Sequence, residues 1–179
     1  MKLITGDGRL KLTLGQTIDH YFIVAFLLLI PGLTSYDIYK MYITQTYDGV
    51  RSADDLIKFS LPFLILAITF LFIQRHRLRF KEIKIKYTDE QFQEAVKRTI
   101  EEIKWQVEFN DTDFFRAYRP WNWSASWGEM ITIIKEKDRL LINSICDPHK
   151  TSSVLSWGWN KQNLEVFKRH LTTVTGGTN

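Results

Sequence analysis

Phe80 to Phe109 reads FKEIKIKYTDEQFQEAVKRTIEEIKWQVEF, and three elements can be read from it. Ile83, Ile85 and Tyr87 alternate with Lys84 and Lys86, the period of a half-buried strand. Thr88 is a good N-cap, and Gln91 three residues later completes a capping box. Phe92, Ala95, Val96, Thr99, Ile100 and Ile103 then recur at helical spacing. Glu90, Glu94, Lys97, Arg98 and Glu101 take the opposite face, so residues 88–104 form an amphipathic helix. Trp105, Val107 and Phe109 return to alternation, and Asn110-Asp111 supply a turn.

Downstream the pattern stays that of strands. Phe114 to Arg119 ends at Pro120, Met130 to Ile134 is followed by a turn at Lys137-Asp138, and Leu140 to Cys146 closes at Asp147-Pro148. Apart from the loop 120–128 the connections are short, which predicts an antiparallel meander. Asn160 is the expected cap of a last helix with Leu164, Phe167, Leu171 and Val174 as its apolar stripe, ended by Gly176-Gly177. The order is β-α-β-β-β-β-α. An α+β domain with one antiparallel-rich sheet and two helices on one face buries every stripe. In order of elements this layout resembles the TATA-binding-protein-like fold over about 100 residues. The resemblance implies a fold and no function. Membrane-anchored pleckstrin-homology-like domains also follow two helices, but they lack an early long helix such as 88–104.

Upstream the composition changes. The chain has 179 residues, 45% apolar, with a formal charge of +4 and one cysteine. That excludes a disordered chain, a disulfide scaffold and a cysteine-rich zinc site. The apolar residues crowd into two runs of sixteen without a charge, Tyr21 to Tyr36 and Phe59 to Gln74. Neither VAFLLLI nor FLILAITFLFI has the polar face of a soluble helix. Each run spans about 24 Å as a helix, and its flanks extend it toward the ~30 Å hydrocarbon core. Two spanning helices are expected, about 19–39 and 58–75, with an external loop at about 40–57. A cleaved signal peptide fits the first run poorly, because its leader is long and carries both signs of charge.

Orientation follows from the basic residues. Arg75 to Lys86 carries six basic residues against Glu82, whereas the loop between the runs has more acids than bases. Excess Lys and Arg mark the cytoplasmic side. The expected organisation is a cytoplasmic leader (1–20), a transmembrane hairpin (21–74), a basic juxtamembrane segment with the first strand (75–86) and a cytoplasmic α+β domain (87–179). The protein is expected in a plasma or inner membrane, with both termini cytoplasmic.

Chemistry is sparse. The sequence contains no G-x-S-x-G, H-E-x-x-H, C-x-x-C or Walker loop. His20, His76, His149 and His170 lack metal-ligand spacing. Asp111 and Asp113 fit turn chemistry, Glu101-Glu102 fit a solvated helix face, and Cys146 fits a small buried hydrophobe. No catalytic residue, metal site or cofactor is assigned; an enzyme would have to use Asp111, Asp113 or His149. Tryptophan is the unusual feature: Trp121, Trp123 and Trp127 crowd 120–129, and Trp157 and Trp159 flank Gly158. These rings could fold over the sheet edge, contact a protein or meet the headgroup layer. They are the expected partner- or ligand-binding residues, with Arg75, Arg77, Arg79 and Lys81 as the basic membrane-surface set. Residues 87–179 carry 12 basic and 13 acidic residues, which argues against nucleic acid. The expected partners are membrane lipids and another protein, with self-association also open. The leading expectation is a non-enzymatic membrane protein whose cytoplasmic domain binds a partner, as a subunit or regulator. The alternative is a membrane-surface sensor taking a lipid or small apolar ligand through the Trp-rich loops.

Overall fold

The structure, a computed structural model, describes residues 4–120, 128–148 and 158–176. Helix α1 spans Leu14–Tyr39 and opens on a capping box: Thr13 accepts from the Gln16 N–H, and the Gln16 side chain accepts from the Thr13 N–H. That cap starts the helix ahead of the apolar run. α1 continues through Pro31 and widens into a π-helical turn at Lys40–Thr44, after which Gln45 takes a left-handed conformation. Helix α2, Ala53–Arg77, is capped by Ser52. Asp54 and Asp55 lie in its first turn, and Arg75, His76 and Arg77 in its last, so its charges oppose the helix dipole.

Both helices are long and apolar enough to cross a membrane. Their packing is a narrow seam: Gln16, His20, Val24 and Thr34 of α1 and Leu56, Ser60, Ala67 and Gln74 of α2 are buried. Small residues such as Ser60 and Ala67 let two helix backbones approach. Phe22, Phe26, Leu33, Ile65 and Phe72 point outward, the reverse of a soluble bundle. One end of the seam is polar. The Gln74 side chain donates to the His20 carbonyl at 2.9 Å, and His20 Nε2 lies 3.1 Å from the Gln74 carbonyl.

The rest is an α+β unit. Strand β1 is Lys81–Lys84, helix α3 Asp89–Ile103, β2 Gln106–Asn110, β3 Phe114–Arg119, β4 Glu129–Glu136, β5 Arg139–Cys146 and helix α4 Trp159–Thr175. They form one antiparallel sheet in the order β1-β5-β4-β3-β2, so the meander is present and β1 returns beside β5. The Thr88–Gln91 capping box opens α3 as the sequence implied. Phe92, Val96 and Ile103 of α3 and Phe167 and Leu171 of α4 pack with Phe115, Ile131, Ile133, Leu140 and Ile142 of the sheet. Trp105 stacks on Phe167 with ring centres 5.8 Å apart.

Two details differ from the sequence reading. Strand β1 stops at Lys84, although Ile85 and Tyr87 still pack on the core. Asn160 does not cap α4. The helix begins two residues earlier than that cap would place it, at Trp159 behind Gly158, whose φ of 83° suits glycine. The Asn160 side chain is engaged elsewhere, accepting from Ser144 Oγ at 3.0 Å.

The opposite sheet face has its own small core. Met130 and Ile145 pack with Leu78 and with Leu10 of the N-terminal arm, flanked by Leu12, Tyr21, Phe80 and Tyr118. The arm is held by its backbone, because the Leu10 N–H donates to the Leu78 carbonyl at 2.8 Å and Arg9 bridges to Arg79. Asn143 of β5 fixes the same corner, its amide donating to the carbonyls of Arg77 and Arg79 at 2.8 and 3.0 Å.

Candidate functional site, a basic crevice at the end of α2

The last turn of α2 places Arg75, His76 and Arg77 in succession, and Arg79 follows at the helix exit. Two cavities open around this point and share His76, Arg77 and Arg79. One, about 600 Å³, runs along α2 past Phe72 and Ile73 and includes Arg9 and Arg75. The other, about 430 Å³, runs over the sheet to Lys81, Asn143, Ser144 and the start of α4, where Lys161 stands. No acidic side chain lines either cavity among the described residues. The four basic residues singled out in the sequence, Arg75, Arg77, Arg79 and Lys81, are thus divided between two adjoining cavities, with Arg77 and Arg79 common to both.

The sequence reading missed Arg9. It comes from the leader, more than sixty positions before Arg75, and only the arm's backbone bonds to Leu78 bring it in. Its side chain is 14% exposed and pairs with Asp7, whose carboxylate is also 3.7 Å from Arg75. Arg9 Nε is buried and has no hydrogen-bond partner among the described residues. Burial, then the nearby charges of Arg75 and Arg79, push the Arg9 guanidinium below its ordinary value. Clustered cations with so little internal counter-charge favour an anion. A guanidinium's planar fork suits carboxylate or phosphate oxygens.

The aromatic set is only partly in view. Trp121, Trp123, Trp127 and Trp157 lie outside the described residues, as does His149. Trp159 belongs to the first turn of α4 rather than to a loop, and the Arg119 guanidinium sits 4.1 Å from its ring centre. Arg119 also donates to Gln162 at 2.8 Å, and burial lowers its pKa while the charge of Glu129 opposes that shift. Asn163, fully buried, accepts from Trp105 Nε1 at 3.1 Å and donates to Ser144 at 3.1 Å. This network fastens α4 to the sheet end from which both tryptophan-bearing segments leave.

The remaining candidates make contacts of their own, and Asp111 and Asp113 line a separate cavity of about 880 Å³. Glu102 receives Arg169 and contacts His170 Nε2 at 2.8 Å. The Asp111 carboxylate accepts from the Thr112 N–H, and the Asp113 carbonyl accepts from the Lys135 N–H of β4 at 2.9 Å, which extends the β3–β4 ladder by one bond. Cys146 is half-buried at the end of β5 and forms no disulfide. Among the described residues no group of His, Cys, Asp or Glu is placed to hold a metal ion. The chain matches no family model, no curated protein and no solved structure.

Proposed function

We propose that this is a non-enzymatic, two-pass integral membrane protein with both termini in the cytoplasm. Its α+β domain works as a binding module fixed at the membrane surface. The module takes an anionic ligand in the crevice around Arg75, Arg77, Arg79 and Lys81. The observation that carries the reading is the crevice itself: basic side chains from α2, the arm and the sheet converge on cavities with no acidic lining residue among those described. Support for the anchor comes from the apolar outer faces of α1 and α2 and from the basic residues at the α2 terminus. A sensor or regulator of a membrane complex suits a domain bound this closely to its anchor.

The test uses the full chain in non-ionic detergent with inorganic pyrophosphate as probe. Binding is expected at low ionic strength and should weaken as salt rises, since exposed charges are screened over about 8 Å at physiological salt. Replacing Arg75, Arg79 and Lys81 together by Gln should abolish it. Equal binding by a folded triple variant would end the reading. Topology has its own readout in Cys146, the sole thiol. An impermeant maleimide should label it only after cells are permeabilised, with a denatured control for its partial burial.

A protein partner is the second reading, favoured by β2. All five residues of this edge strand are exposed, with Val107 at 45% and Phe109 at 49%. An open strand edge can accept a strand from another chain.

A further inference from the structure

We infer that the cavity along α2 is the headgroup site of an anionic glycerophospholipid, and that Asp7 is a built-in carboxylate which the lipid phosphate displaces. This rests on the reading of the crevice as an anion site and names its ligand. The shared chemistry is a phosphate ester; the shape of the cavity argues for its lipid form. One wall is cationic, with Arg9, Arg75 and Arg79, and the other is Phe72 and Ile73 on the outward face of α2. A soluble phosphate compound has no use for that apolar wall. A phospholipid would lay its acyl chains down the helix and its phosphate among the guanidinium groups. Basic pockets at the cytoplasmic ends of spanning helices suit such headgroups.

Asp7 occupies the position of a competitor. It pairs with Arg9 and reaches Arg75 from outside the cavity lining, so a carboxylate already competes for two of the guanidinium groups a phosphate would use. It is held there by a tight turn. The Thr5 N–H donates to the Arg9 carbonyl at 2.8 Å, the Gly8 N–H to the Thr5 carbonyl at 3.0 Å, and Thr5 Oγ1 bonds Asp7. Even so, Arg9 Nε stays buried without a partner among the described residues, so the carboxylate satisfies the cluster incompletely. A phosphate diester brings more acceptor oxygens to the same fork, and each basic contact near an anionic surface favours it.

The experiment uses the full chain in nanodiscs of phosphatidylcholine with and without phosphatidylglycerol, released and weighed by native mass spectrometry. The wild-type chain should retain phosphatidylglycerol in preference to phosphatidylcholine. Asp7→Asn, which keeps the turn's side-chain length, should raise that retention about fivefold, and Arg79→Gln should lower it by a similar factor. Circular dichroism melts of each variant establish that it is folded. Equal retention of both lipids, or unchanged retention in folded Asp7→Asn, would overturn the inference. So would displacement of the lipid by glycerol 3-phosphate at equal concentration, which would leave the anion reading standing with a soluble ligand. Failure to bind phosphatidylglycerol, glycerol 3-phosphate and pyrophosphate alike would remove both.

Discussion

At the scale of single residues, the side chains that decide most are polar and buried. Asn163 joins Trp105 and Ser144 and lies 3.4 Å from Arg119 Nη1. Removing its amide strands the Trp105 N–H and weakens the hold on a buried guanidinium. Asn163→Ala should cost about 2–4 kcal/mol, since each orphaned buried group costs about 1–3 kcal/mol, more when charged. Urea unfolding of the full chain in detergent would check it, followed by tryptophan fluorescence. Glu102 shows a weaker effect of opposite visibility. Arg169, then His170, hold its carboxyl below the usual range. A depressed native pKa means the contribution is complete above the unfolded value, about 4.3, and fades as pH falls through the lower native value. The group is substantially exposed, so screening limits it to about 0.5 kcal/mol. Glu102→Gln should therefore lower the urea midpoint slightly at neutral pH and match the wild-type chain once pH falls below the native value.

At the scale of elements, the junction between α2 and β5 organises the crevice. A helix end leaves carbonyls without intrahelical partners. Here Asn143 donates to two carbonyls at the α2 exit, Arg77 and Arg79, and Leu10 donates to the one between them, Leu78. Three backbone acceptors in a row are thus taken by the domain and the arm rather than by water. Asn143→Ala should remove its two donations to the α2 exit and loosen the joint. Limited proteolysis would then cut between residues 78 and 80 faster than in the wild-type chain, about tenfold if the joint loses roughly 1.4 kcal/mol. An unchanged cleavage rate would show that the arm alone holds the joint.

At the scale of the whole molecule, the sequence and the structure agree for most elements that a single period sets, β1 ending early at Lys84. The Thr88 cap, the stripe from Phe92 to Ile103 and the strand Phe114–Arg119 were legible because each signal lies within a few residues. The same holds for the strand order, since short connections leave a meander few alternatives. The basic set Arg75, Arg77, Arg79 and Lys81 was visible as a run, but not as the lining of a cavity. Arg9 carried no local signal, because a backbone bridge to residue 79 decides its place. Asn160 misled because asparagine is a common cap, while tertiary contact with Ser144 used its side chain and Gly158 supplied the turn. The second core was hidden for the same reason: Leu10 meets Met130 and Ile145 only after the chain has gone out along α1 and come back along α2.

On the two-pass reading, that second core has a consequence for biogenesis. Leu10 precedes both long helices, whereas Met130 and Ile145 follow them, so this sheet face closes only when the two ends of the hairpin emerge on the same side. On the two-pass reading, a nascent chain that inserted one helix and failed with the other would strand Leu10 across the bilayer from its partners. Met130 and Ile145 would then stay bare, offering chaperones and membrane proteases a greasy flag on every mis-threaded copy. The small cluster would serve as a proofreading step for topology, completed only by chains whose hairpin is correctly threaded.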